Sequence, residues 1–144
     1  MKREIYTIGL LTILSLSVLA QNQLPSPRYG ATVVRYNDTA VYIYGGVVQD
    51  NSKSNNTTPT SDLYQYNPST LTSTKITPSG DELPASSGQQ SGIIYNGHIL
   101  LLPGIKTSST DNHSYSFNPA EKHVTQRTQQ PYLQRRGMSC AYRG

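Results

Sequence analysis

The stretch Leu63-Tyr64-Gln65-Tyr66-Asn67-Pro68 returns as Ser114-Tyr115-Ser116-Phe117-Asn118-Pro119, 51 residues further on. In both copies aromatic residues alternate with polar ones, the period-two signature of a strand. Each copy ends in Asn-Pro, where Pro pre-sets φ and Asn tolerates turn geometry, so each strand runs into a tight turn. Working outward, Ala40-Val41-Tyr42-Ile43-Tyr44-Gly45-Gly46 precedes the first copy, and His98-Ile99-Leu100-Leu101-Leu102-Pro103-Gly104 precedes the second. Arg28-Tyr29-Gly30 opens the first pass, and Pro84-Ala85-Ser86-Ser87-Gly88 opens the second. Arg135-Arg136-Gly137-Met138-Ser139-Cys140-Ala141 begins a third, 107 residues (two periods) after the first.

The apolar segments Ala40–Tyr44 and Ile99–Leu102 are apolar on both faces. That is wrong for a sheet with one wet face and right for one sandwiched between two others. Gly45-Gly46 ends its strand where the chain must turn with positive φ and no Cβ clash. Four strand-like segments recurring about every 50 residues are the signature of a propeller blade.

These features resemble the kelch family of β-propeller repeats over nearly all of residues 25–144. The Arg-X-Gly opening, the strand ending in Gly45-Gly46 and the aromatic-Asn-Pro corner carry the resemblance. The motif positions are Gly30, Gly45, Gly46, Tyr66, Pro68, Gly104, Phe117, Pro119 and Gly137. The chain departs from the family at Ser73 and Val124, where blades usually carry Trp, and at Pro103, where a Gly is usual. No Arg precedes Gly88. The blades of the galactose-oxidase central domain are a related possibility. The resemblance implies an all-β fold, a partial propeller of four-stranded antiparallel blades: residues 21–80 as linker and first blade, 81–130 as the second, and 131–144 as the start of a third. The Tyr64/Tyr66 and Tyr115/Phe117 alternation is expected nearer the rim.

The chain opens with Lys2-Arg3, an apolar run from Ile5 to Leu19, and Val18-Leu19-Ala20 before Gln21-Asn22-Gln23. That order of charge, apolar core and small residue is expected of a secretory signal over residues 1–20, the alternative being an uncleaved anchor. Its 15 apolar-run positions fall short of the roughly 20 needed to span a bilayer. The expected location is therefore secreted, or the outer face of the cell surface, with membrane attachment only if an anchor lies in C-terminal sequence beyond Gly144. Asn37, Asn55, Asn56 and Asn112 are Asn-X-Ser/Thr acceptors in this context; Asn67 and Asn118 are excluded by the following Pro.

The composition, 35% hydrophobic and 14% charged with 11 Tyr and 11 Gly, suits strands joined by many turns. Arg127, Arg135, Arg136 and Arg143 supply much of the net positive charge but form no dense basic stripe, so nucleic acid is not expected as a partner. His98, His113 and His123 lack the spacing that puts two metal ligands on one face. Nothing resembles a nucleophile elbow, a phosphate loop or a carboxylate pair. Catalytic residues, metal and cofactors are therefore not expected, and Cys140 reads as a small core residue or one whose partner lies in sequence beyond Gly144. The polar insertions Val47–Thr60 and Ile105–Asn112 leave the same place in successive repeats and read as loops, the usual carriers of recognition.

Two blades and a fragment leave apolar faces in water, at about 25 cal/mol per Å². The chain is thus expected to be part of a longer propeller, the alternative being closure by oligomerisation. The functional expectation is a non-enzymatic interaction module binding protein or glycan through blade loops. Its alternative is the N-terminal part of a secreted galactose-oxidase-like copper enzyme whose catalytic residues lie elsewhere.

Overall fold

A computed structural model of the chain describes residues 26–49, 57–88, 91–102, 105–106 and 113–129. The expected leader (residues 1–20) and the expected start of a third repeat (131–144) lie outside them. Among the described residues the regular structure is all β, and no helix is long and apolar enough to cross a membrane. The strands are β1 (Arg28–Tyr29), β2 (Thr32–Asn37), β3 (Ala40–Tyr44), β4 (Val47–Gln49), β5 (Thr57–Pro59), β6 (Leu63–Asn67) and β7 (Thr72–Ile76). They continue as β8 (Ser79–Gly80), β9 (Ser86–Gly88), β10 (Ser91–Tyr95), β11 (His98–Leu102), β12 (Ile105–Lys106), β13 (His113–Asn118) and β14 (His123–Gln129).

The first pass folds as an antiparallel sheet in the order β2-β3-β6-β7, and the second as β10-β11-β13-β14. The repeated Asn-Pro corners make the same turn twice. Asn67 Oδ1 accepts from the amides of Ser69 at 2.9 Å and Thr70 at 3.4 Å. Asn118 Oδ1 accepts from Ala120 at 3.0 Å and Glu121 at 3.4 Å. Four residues after each Asn, the backbone enters the left-handed region, at Leu71 (φ 55°) and Lys122 (φ 51°). Between β10 and β11, Asn96 and Gly97 both take positive φ, as a two-residue hairpin with the twist of its strands requires.

The second sheet differs from the four-stranded expectation. Its outer edge carries a fifth strand, β8, parallel to β14. Ser79 N donates to Lys122 O at 2.9 Å, Asp81 N to Val124 O at 3.0 Å, and Gln126 N to the Asp81 carboxylate at 2.6 Å. The linker leaving the first sheet is thereby strapped along the edge of the second. Gly80 (φ 86°) makes this approach possible, since a Cβ there would lie 2.2 Å from Val124 O. The described parts of the insertions form short strands: β4 pairs with both β1 and β5 in a small sheet, and β12 pairs with β9. Val47, at the start of the first insertion, is buried, because a Val-Val pair following the Gly corner can extend and pair before the chain turns polar.

The two main sheets pack face to face. Val34, Tyr42, Tyr44, Leu63 and Ile76 from the first join Ile99, Leu101, Tyr115, Phe117 and Val124 from the second in one buried cluster, capped by Leu83 of the linker. Phe117 and Val124 are fully buried, so the aromatic alternation of β13 ends in the core and not towards the rim. Tyr42 and Phe117 meet edge-on with ring centroids 5.5 Å apart, the geometry favoured by ring quadrupoles. Phenol oxygens satisfy themselves across the junction: Tyr36 donates to Gly97 O at 3.0 Å, and Tyr44 donates to Pro84 O. About 10 Å³ of free space remains between the sheets, no more than one water needs.

Gly92 sets how closely β10 approaches β2. A Cβ on it would stand 2.5 Å from Val34 Cγ2 and 2.8 Å from Thr32 Cγ2. Gly92→Val is expected to destabilise the chain by about 1–3 kcal/mol, the usual range for overpacking, measured by denaturant unfolding. A variant as stable as the parent would show that the sheets do not meet there.

Candidate functional site

The end of the first sheet from which residues 47–60 depart is built around three glycines in the left-handed region, Gly30 (φ 67°), Gly45 (φ 68°) and Gly46 (φ 87°). A Cβ on Gly46 would come within 3.0 Å of Tyr29 O and Ala31 Cβ, so β1 and this corner touch backbone to backbone. Gly45 N donates to Asp62 O at 2.9 Å and Thr60 N to Gly46 O at 3.0 Å. These bonds close the base of the insertion.

Beneath that corner lies a charged cluster. The Arg28 side chain is only 3% exposed and lies over the Tyr64 ring, 4.8 Å from its centroid. Its Nη1 donates to Gly45 O at 3.2 Å, while Nη2 stands 3.9 Å from the Asp62 carboxylate. Nε and Nη2 make no hydrogen bond, so charge and ring contact carry much of the compensation for burying this cation. Lys75 Nζ meets the other Asp62 oxygen at 2.6 Å, and the Tyr64 hydroxyl donates to Asp62 at 3.4 Å. Burial alone raises the Asp62 carboxyl, but the Lys75 hydrogen bond and the charges of Lys75 and Arg28 more than offset it, holding the group below its ordinary range. Lys75 is raised in turn by its hydrogen bond to Asp62. No reacting arrangement results. The cluster is a clamp that makes the base of residues 47–60 rigid.

A shallow cleft of about 200 Å³ opens on the outer face of the second sheet, lined by Tyr95, Asn96, His98, Leu100, Ser116 and Arg127. His98 Nδ1 and Ser116 Oγ are 3.2 Å apart there. Among the described residues no group of three or more His, Cys, Asp or Glu side chains could hold a metal ion.

Of the motif residues, Gly30, Gly45 and Gly46 come together at the clamp. Tyr66 and Pro119 are half-buried, Pro68 is exposed at its turn, and Phe117 anchors the core. Asn37 is exposed at the β2–β3 turn. Asn55, Asn56, Asn112, Gly104, Gly137 and Cys140 lie outside the described residues. Sequence reasoning found Arg28 only as part of an opening motif and missed its partners Asp62 and Lys75, 34 and 47 positions away. The one available signal was an isolated acid, Asp62, just before β6.

No family model matches the chain. Among curated proteins it is similar to the Rho GTPase-activating protein gacHH of Dictyostelium discoideum, with 31% identity over 97 residues. The match takes in 66% of this chain and 6% of that protein's length.

Because the folded Asp62 holds its proton less tightly than the unfolded one, its contribution to stability is complete above about pH 4, the ordinary carboxylate value, and is lost as the pH falls through the depressed folded value. Asp62→Asn is expected to be less stable at neutral pH by about 1–3 kcal/mol, because the buried Arg28 cation then lacks its counter-charge. It should also lose this acid dependence, as read by thermal unfolding at a series of pH values. An unchanged acid limb would remove Asp62 from the clamp.

Proposed function

We propose that the chain is a run of kelch-type blades from a longer β-propeller, secreted or displayed at the cell surface, that binds a protein or glycan partner through the segments 47–60 and 105–112. The observation that carries this reading is the asymmetry of the sheet contact. The first sheet uses its Tyr42, Tyr44 and Leu63 face; in the repeat these positions correspond to Leu100, Leu102 and Ser114. The second sheet uses Ile99, Leu101, Tyr115 and Phe117, which correspond to Val41, Ile43, Tyr64 and Tyr66 of the first. The contact is therefore head to tail. Each sheet offers its neighbour the face that its own repeat copy keeps outside.

A head-to-tail contact propagates, and repeated with a rotation it closes into a ring. The outer faces are made for it. Val41, Ile43, Ile93, Leu100 and Leu102 are only half-buried in the chain alone, and Val33 is 61% exposed. With both faces occupied by neighbouring sheets, the strand ends are what remains for a partner. The two insertions, each beginning on a short paired strand, occupy that position.

The test is binding by the full chain to a defined glycan array and to intact cells. Exchanging residues 50–56 and 107–112 for Gly-Ser sequence of equal length is expected to reduce binding at least tenfold while far-UV circular dichroism stays unchanged. Binding that survives both exchanges would sink the loop-recognition reading.

A further inference from the structure

Among the side chains at the strand ends, Asn37 stands apart. It sits at the turn between β2 and β3, followed by Asp38 and Thr39, and all three are exposed. Its Oδ1 accepts from Thr39 N at 2.9 Å and from the Thr39 hydroxyl at 3.2 Å, which leaves Nδ2 directed away from that turn. The neighbouring charges are equally in water. Asp38 is 92% and Arg35 73% exposed, paired with each other at 2.6 Å. We infer that Asn37 carries an N-linked glycan, an inference that rests on the secretory part of the reading above.

The chemistry needs a carboxamide nitrogen, a hydroxyl two residues on, and any residue but Pro between them; Asn37-Asp38-Thr39 supplies all three. The amide Nδ2 attacks the anomeric carbon of an oligosaccharide carried on a lipid diphosphate. The bond from that carbon to the diphosphate oxygen breaks, the lipid diphosphate leaves with the electron pair, and the amide gives up one proton to base. Addition takes place on the emerging chain, so the folded structure governs a different question, whether the product can be accommodated. Here it can. Asn37 is the last residue of β2, in register with Ala40 at the start of β3 and exposed at the turn, so a glycan there leaves the buried contact through Tyr42 and Phe117 untouched. It also lies at the opposite end of β3 from Gly45-Gly46, where residues 47–60 depart, so the glycan and the binding segments occupy different ends of the strands.

The experiment expresses the full chain in eukaryotic secretory cells and compares it with Asn37→Gln, Thr39→Ala and Thr39→Ser. Peptide mass spectrometry after N-glycosidase treatment is expected to find Asn37 converted to Asp in the parent and in Thr39→Ser, and not in Thr39→Ala. On a gel the apparent mass of Asn37→Gln should be lower than the parent's by one glycan. A chain recovered from the medium with Asn37 unmodified would overturn the assignment. If the chain does not reach the lumen, the leader reading fails instead; residues 21–144 behind the leader of a known secreted protein then give the same two results on Asn37.

Discussion

Everything in this chain depends on one constraint: a sheet apolar on both faces cannot stand in water on either side. The first sheet meets it by laying Val34, Tyr42, Tyr44 and Leu63 against Ile99, Leu101 and Phe117 of the second. Phe117 has no exposed surface at all, and removing a ring so placed costs about 3–5 kcal/mol. Neither sheet holds that core alone. The stability of each is a property of the junction, and the connecting segment belongs to it as well: Leu83 caps the cluster, and Pro84 O takes the Tyr44 hydroxyl.

Glycines decide how close the parts come. Gly92 lets β10 lie against Thr32 and Val34, Gly80 lets the linker lie on the edge of β14, and Gly46 lets the insertion corner lie on β1. All three contacts tie segments distant in sequence, and any Cβ at these positions would open them. At the same corner Arg28 and Lys75 converge on the single carboxylate of Asp62, with the Tyr64 ring beneath Arg28, and form a clamp. Residues 47–60 thus depart from a corner tied by these contacts.

The strand plan was legible because its signals are local. Aromatic-Asn-Pro corners and unbroken apolar runs placed β3, β6, β11 and β13 within a residue or so. What was not legible depends on pairs far apart in the chain. Ser79-Gly80-Asp81 reads as an ordinary turn, and only the position of β14 turns it into a parallel strand. Gly92 looks like a weak point in a strand until Val34 is brought opposite it. Val47-Val48-Gln49 and Ile105-Lys106 look like loop in the sequence because strands of two or three residues carry no period of their own. The clamp failed to show for the same reason, Arg28 and Asp62 being joined only by the fold.

Amide hydrogen exchange in the native chain tests the shared core most directly. If Tyr42 and Phe117 hold the sheets as one unit, amides of β3 and β6 open with the same free energy as those of β11 and β13, and Tyr42→Ala lowers both sets together. Protection lost in the first sheet while β11 and β13 keep theirs would mean two independent sheets, and the head-to-tail contact would not be what holds the protein together.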